Sequence, residues 1–287
     1  MYYLGFDIGG SSVKAVVLKN RKVVFSKVFE DLPNNFTGLL KLLKNTKNNL
    51  ANELGPKSIG GIGISIPGPL DKKRQRVVIG PNIHYLTNKP VLKLFKRELA
   101  PYPVEVEHDV HCHLLAEKVL SLGKKYGNVL CLTLGTGIGG AFMVNGEIIF
   151  GSHGSAGEIG HMITSQEKVP WENLAAKKFI KKELGIGALL AQKRAIKGDK
   201  KARKAFEAMG YNLGIGLANI INILDPEVII IGGGLITARK FFSSSMKKAI
   251  RKLVISREAQ KTKILFSKLG RFGGALGAAL LFTRYAK

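Results

Sequence analysis

Residues 4–29 read LGFDIGGSSVKAVVLKNRKVVFSKVF, and residues 129–150 read VLCLTLGTGIGGAFMVNGEIIF. Each stretch opens on an apolar, β-rich run and passes a glycine turn, Gly9-Gly10 in one and Gly135 to Gly140 in the other. Each continues as a second strand and turns sharply, at Asn20-Arg21 or Asn145-Gly146, into a third. The spacing from one turn to the next is about ten residues in both, which marks a duplicated unit. Around the first copy, residues 36–54 carry Phe36, Leu39, Leu40, Leu42, Leu43, Leu50 and Leu54 at helical spacing. A β-branched run at 59–66, closed by Pro67-Gly68-Pro69, completes a β-β-β-α-β unit. Beyond the second copy come a long helix near 200–224, a strand at 227–231, the turn Gly232-Gly233-Gly234, a helix near 237–254 and the small-residue helix GGALGAALLF. The fold class is α/β. The expected division is a small lobe over 1–107, with the terminal helix (273–287) packing back on it, and a large lobe over 108–272.

The composition suits a globular chain: 287 residues, 45% hydrophobic and 23% charged. No apolar run approaches the ~20 residues of a membrane span, and MYYLGFDIGG enters a strand without a secretory leader. A cytoplasmic protein with no membrane partner is expected. Cys112 and Cys131 are too few for a disulfide framework or a cysteine-rich zinc site, and Cys131 sits in the apolar run NVLCLTL. The net charge of +25 favours anionic partners. Its densest runs are Lys72, Lys73, Arg74 with Arg76, and Lys200, Lys201, Arg203 with Lys204. No arginine-rich tail or aromatic-interleaved basic face accompanies them, so no specific nucleic-acid partner is expected. A lysine-rich solvated surface and a polyanion site both remain open.

Three glycine turns and one acid carry the chemistry. In Asp7-Ile8-Gly9-Gly10-Ser11-Ser12, glycine lets a ligand approach the backbone and turn amides can nest an anion. Asp7 ends the first strand, where a carboxylate can hold a hydrated Mg²⁺, and Lys14 adds a cation. The same residues also make a plain glycine hairpin. Gly135-Thr136-Gly137-Ile138-Gly139-Gly140 has G-x-G-x-x-G spacing. Strands follow it where a dinucleotide fold needs a helix, and no G-K-[ST] is present. Two such hairpins can grip a polyphosphate. Gly232-Gly233-Gly234 ends the strand EVIII, where a base or ribose can lie against backbone or where the chain simply turns. Asp109, between VEVE and the helical run VHCHLLAEKVL, is placed to cap that helix, whose positive end would keep it ionised. An ionised carboxylate there can take a proton from a substrate hydroxyl. His108, His111, Cys112 and His113 surround it without a recognisable metal-ligand spacing.

These elements in this order resemble the ROK family (repressors, open reading frames and kinases) of the actin-like sugar kinase superfamily. Asp7 to Lys14 resembles its first phosphate motif, D-x-G-G-T-x-x-K/R, with serine for threonine, and LTLGTGIGGA its second. GSHGSAGEIGHM (151–162) resembles its most specific signature and DPEVIIIGGG its adenosine motif. The resemblance implies a duplicated actin-like (ribonuclease H-like) fold, two lobes around a central cleft, and transfer of the ATP γ-phosphoryl to a hexose 6-hydroxyl. It implies Asp109 as general base. It implies nucleotide contacts from Asp7, Gly9, Gly10, Ser11, Ser12, Lys14, Gly135, Thr136, Gly137, Gly139 and Gly232 to Gly234, with Mg²⁺ held at Asp7 through water. Sugar contacts are implied for Asn82 of GPNIHYL, His108, Asp109, Glu158, His161 and Glu172 of PWENLA. A homodimer is the family-like expectation.

Two departures stand out. His108 occupies the place of the usual asparagine, which leaves the hexose open. No cysteine lies between His161 and Glu172, so no structural zinc is expected. Alternatives within the fold are a polyphosphate-dependent glucokinase and a kinase of N-acetylhexosamines or other hexoses. A non-enzyme sugar-responsive repressor would carry a winged-helix domain ahead of the phosphate strand, and the chain is expected to lack one.

Overall fold

The computed structural model describes residues 1–80, 83–166 and 168–282. In chain order the elements are β1 (Tyr2–Ile8), β2 (Val13–Lys19), β3 (Lys22–Phe29), α1 (Phe36–Leu54), β4 (Ile59–Ile66), α2 (Val91–Glu98), β5 (Val104–His108) and α3 (Asp109–Leu120). Then come β6 (Val129–Leu134), β7 (Ile138–Val144), β8 (Glu147–Ile149), α4 (Trp171–Ala175), α5 (Lys177–Leu184), α6 (Ala188–Ile196), α7 (Lys200–Leu224), β9 (Val228–Gly232), α8 (Arg239–Leu253), β10 (Lys263–Phe266) and α9 (Gly273–Leu280). Contacts divide the chain into two units: residues 1–124, 150–156 and 271–287, and residues 125–149 with 157–270. The terminal helix α9 lies in the first unit, and so does α3, which the sequence reading assigned to the second lobe.

The first unit is built on a five-stranded sheet ordered β3-β2-β1-β4-β5. β1 pairs antiparallel with β2 and parallel with β4, as hairpin and crossover connections require. Asn20 and Arg21 hold φ of 50° and 62°, the two-residue turn that matches strand twist. Leu4, Phe6, Val13, Ile62, Ile64 and Phe95 are buried in its core. Asn35 caps α1 by accepting from the Gly38 amide at 2.8 Å. α9 is Gly/Ala-rich because it is buried on every side. A Cβ on Gly5 would lie 2.0 Å from the Ala275 carbonyl oxygen, and one on Gly63 1.8 Å from that of Ala278. A Cβ on Gly277 would lie 1.7 Å from the Cys112 carbonyl oxygen of α3. Sheet, α9 and α3 therefore touch backbone to backbone, which ties α3 to this unit.

The second unit repeats the connectivity, in the order β8-β7-β6-β9-β10. Asn145 and Gly146, at φ 52° and 84°, make the matching hairpin turn. Where the first unit has α1, this one has α4 to α7. Fully buried Trp171 anchors them: its Nε1 donates to the Asn212 carbonyl at 2.8 Å, and its ring lies where a Cβ on Gly216 would be. Asp199 caps α7 by accepting from the Ala202 amide at 3.0 Å.

Candidate functional site

Strand register assembles the candidate residues of the first unit. Asp7 on β1 faces Lys14 on β2 and Ser65 on β4. Its Oδ2 accepts from Lys14 Nζ at 3.1 Å and its Oδ1 from Ser65 Oγ at 2.7 Å. A Cβ on Gly274 would lie 2.6 Å from Oδ1, so the first turn of α9 closes over the carboxylate. The turn beside it closes through Gly9 N donating to Ser12 O at 2.9 Å. Gly10 and Ser11 are exposed at its tip and Ser12 is buried. A mostly buried carboxylate at a strand end suits Mg²⁺ held through water, since the ion keeps most of its waters and takes one or two carboxylates. Among the described residues no three His, Cys, Asp or Glu side chains converge on a metal position.

Asp109 departs from its expected part in two ways. It is the first residue of α3, and His108 occupies the N-cap without a side-chain capping bond. Nor does the helix end keep its carboxyl low. Although 39% of the side chain remains open to solvent, burial and then the charge of Asp7 push the carboxyl up from 3.8 to about 7. The Val110 amide, His111 and Lys14 pull the other way and are outweighed. His108 Nε2 lies 3.1 Å from Asp109 Oδ1.

Next to this pair is a buried network. Glu107 Oε1 accepts from the His108 amide at 2.8 Å and lies 3.0 Å from His111 Nδ1, while Glu107 Oε2 accepts from Arg74. Burial alone would raise the Glu107 carboxyl. The His111 bond and charge, Arg74 and the His108 amide together hold it below its usual range.

In the second unit the turn Gly135 to Gly137 joins β6 to β7, with Gly135 N donating to Gly137 O at 3.0 Å and Thr136 exposed. Gly139 lies on β7. Glu172 of α4 inserts under this turn. Its Oε2 accepts from the Ile138 amide at 3.3 Å and its Oε1 from Lys178, and a Cβ on Gly137 would fall 2.0 Å from Oε2. Glu172 thus braces the glycine turn. Gly232 ends β9, and Gly233, at φ 90°, lies against the Leu134 carbonyl. Lys177 joins the two turns: its amide donates to Gly135 O at 3.1 Å, and its Nζ lies 3.5 Å from where a Cβ on Gly234 would be. Glu158 precedes a short 3₁₀ turn, Ile159–His161, which ends on the exposed His161. Gly157 and Gly160 pack that turn onto β7, where Cβ atoms would meet the Gly140 and Ile138 carbonyl oxygens at 2.1 and 2.2 Å. Asn82 lies outside the described residues.

Sequence reasoning missed Ser65, Arg74, Glu107, Lys177 and Lys178 as neighbours of these residues, while His111 was already placed around Asp109. Only Ser65 had a signal, because it stands opposite Asp7 once β1 and β4 are paired. The basic residues are hidden among the chain's 45 lysines and arginines.

The family model described as the ROK family matches residues 3–285. An N-acetyl-D-glucosamine kinase from Histophilus somni is 30% identical over 98% of this chain and 99% of its own. A xylose repressor from Bacillus subtilis is 26% identical over 96% of this chain and 75% of its own. Among solved structures, a ROK hexokinase from Thermus thermophilus matches 98% of this chain and 97% of its own with TM-score 0.83 and 26% identity.

Proposed function

The chain belongs to the ROK family, and from that premise we propose that it is a sugar kinase that transfers the γ-phosphoryl of ATP to the 6-hydroxyl of a hexose. The observation that carries the reading is the position of the Asp109 carboxyl, at the first residue of α3, 3.1 Å from His108 Nε2 and within the charge influence of Asp7 and Lys14, with its pKa raised. A base near the working pH is deprotonated often enough to act and basic enough to accept a proton. Asp109 takes the hydroxyl proton as the sugar oxygen bonds to the γ-phosphorus, the bond to the bridging oxygen breaks, and ADP leaves. His108, 3.1 Å from that carboxylate, orients it.

Phosphoryl transfer asks of the protein mainly position and charge. In the first unit, Lys14 and the Gly9–Ser12 turn serve the phosphates. In the second, the Gly135–Gly137 turn, braced by Glu172 and flanked by Lys177 and Lys178, does the same, while Gly232 to Gly234 offers backbone to the adenosine. Mg²⁺, held at Asp7 through water, would neutralise phosphate charge. Asn82, His108, Glu158 and His161 are assigned to the sugar. The role of Glu172 is amended to support of the glycine turn, since its carboxylate is engaged there.

The same reading carries a cytoplasmic homodimer, supported by the family resemblance. Among the described residues no helix is long and apolar enough to cross a membrane. The likeness to a xylose repressor favours a second reading, a sugar-responsive regulator without turnover. A panel of hexoses and N-acetylhexosamines with ATP, followed by ADP release and ³¹P NMR of the product, separates the two. The kinase reading expects a 6-phosphate from at least one sugar, and sugar binding without ADP release across the panel would sink it.

A further inference from the structure

Of the basic run Lys72, Lys73, Arg74 and Arg76, one member turns inward. Lys72, Lys73 and Arg76 are exposed, while the Arg74 side chain is only 33% exposed. Arg74 stands at the tip of the loop between Leu70 and Val77, which pair in a short antiparallel bridge. Its amide donates to the Asp71 carbonyl at 2.7 Å, and its φ is 53°. That left-handed conformation ordinarily goes to glycine or asparagine. An arginine there carries backbone strain that glycine would not.

The Arg74 guanidinium makes two contacts at once. Its Nε donates to Glu107 Oε2, and its carbon lies 3.6 Å from the Phe150 ring centre. A planar cation can pair with a carboxylate and lie on a ring together, which the point charge of lysine cannot do from one position. Glu107 and Phe150 both bear on the His111 ring. Glu107 Oε1 lies 3.0 Å from His111 Nδ1, and the Phe150 ring meets His111 edge-on at 5.0 Å. The His111 ring meets that of His108 in the same edge-on way at 5.4 Å. Glu107 Oε1 also accepts from the His108 amide at 2.8 Å, and His108 Nε2 lies 3.1 Å from Asp109 Oδ1. A chain of contacts thus runs from Arg74 to the carboxylate of residue 109, all of it inside the first unit. Glu107 is 7% exposed, and a carboxylate so buried depends on its cation.

We propose that Arg74 is a positioning residue for phosphoryl transfer: by holding Glu107 and Phe150 it fixes the His111 and His108 rings, and through them the direction of the Asp109 carboxylate. The catalytic consequence rests on the kinase reading above, and the placement of the two rings rests on the contacts alone. Direction matters because a displacement of about 1 Å at the reacting centre can cost ~10²-fold in rate. Arg74 does not stand among the residues assigned to ATP, so kcat responds to it and the KM for ATP does not.

The test uses the full chain with Arg74→Gly, because glycine suits a φ of 53° and leaves the loop its conformation. With the best sugar, kcat is expected to fall by about 10- to 10²-fold, with the KM for ATP as in the wild type. Guanidinium ion, far below denaturing concentration, is expected to restore part of the lost kcat, and sodium at the same ionic strength is not. Arg74→Lys keeps a cation for Glu107, and with it the fold, but loses the plane, and its kcat is expected to lie between the two. A residue that only stabilised the fold would lower Tm and leave kcat and its response to guanidinium unmoved. In parallel, ¹⁵N-histidine NMR is expected to show the His108 and His111 ring signals shifted in Arg74→Gly. Unchanged kcat in both variants, or a loss that guanidinium does not touch, overturns the proposal. A wild type that turns over no sugar would instead remove the kinase reading. The NMR arm then decides the placement alone: shifted ring signals uphold it and unmoved ones overturn it.

Discussion

Two carboxylates with opposite environments define the residue scale. Glu107 is hydrogen-bonded into the low range, and Asp109, with Asp7 as its nearest charge influence, is driven up to about 7. For stability the sign follows from proton counting. Between about 4 and about 7 folded Asp109 keeps a proton that the unfolded chain has lost, so its contribution falls as pH rises through that window and is level above it. For catalysis the sign is opposite, because the base must be ionised. We expect kcat/KM to rise about tenfold per pH unit below 7 and to plateau above it. A profile flat down to pH 5 would contradict the assignment. Asp7, Lys14 and Asp109 could be picked from the sequence as acids and a cation beside glycine turns. Their mutual effect could not, because it depends on how closely β1 and the start of α3 approach. The same holds for Glu172, whose engagement beneath the Gly135 turn depends on the packing of α4.

At the scale of elements, α9 shows why small residues recur. A helix buried between sheet and α3 has no room for side chains where backbones meet, and glycine is the only residue that fits there. Gly277→Ala would place a methyl 1.7 Å from the Cys112 carbonyl oxygen. The expected cost is about 2 kcal/mol, lowering Tm by about 5 °C for a unit of this size. Thermal unfolding followed by circular dichroism checks this, and an unchanged Tm would show that α3 and α9 separate easily. The hairpins at Asn20-Arg21 and Asn145-Gly146, helix α1 and strand β4 were legible because period and turn chemistry are local. Helices α5 and α6 between Trp171 and α7 were not, since at eight and nine residues each is shorter than the window over which a helical period can be counted. The one-residue difference at Asp109, first helical residue and not cap, reflects how little local signal separates those positions.

At the scale of the whole molecule, duplication dominates. Both sheets share one strand order, third-second-first-fourth-fifth within each unit; the duplication behind it was readable from two matching stretches about a hundred residues apart, while the order itself and strand β10 were not. Which unit takes α3 was not readable, because backbone contacts with α9, far along the chain, decide it. The net charge of +25 also acts at this scale. Inorganic polyphosphate should compete with ATP at low salt, and the inhibition should weaken severalfold by ~0.5 M salt, where surface fields are screened. Inhibition insensitive to salt would place polyphosphate in a shielded donor site. The central claim remains phosphoryl transfer with residue 109 as base, and the most direct measurement is a pair of numbers on Asp109→Asn: turnover with the best sugar, and ATP affinity by calorimetry. The account predicts turnover down by ~10³-fold, the middle of the range of a general-base contribution, with ATP affinity within a few fold of wild type. Near-normal turnover in that variant would contradict it.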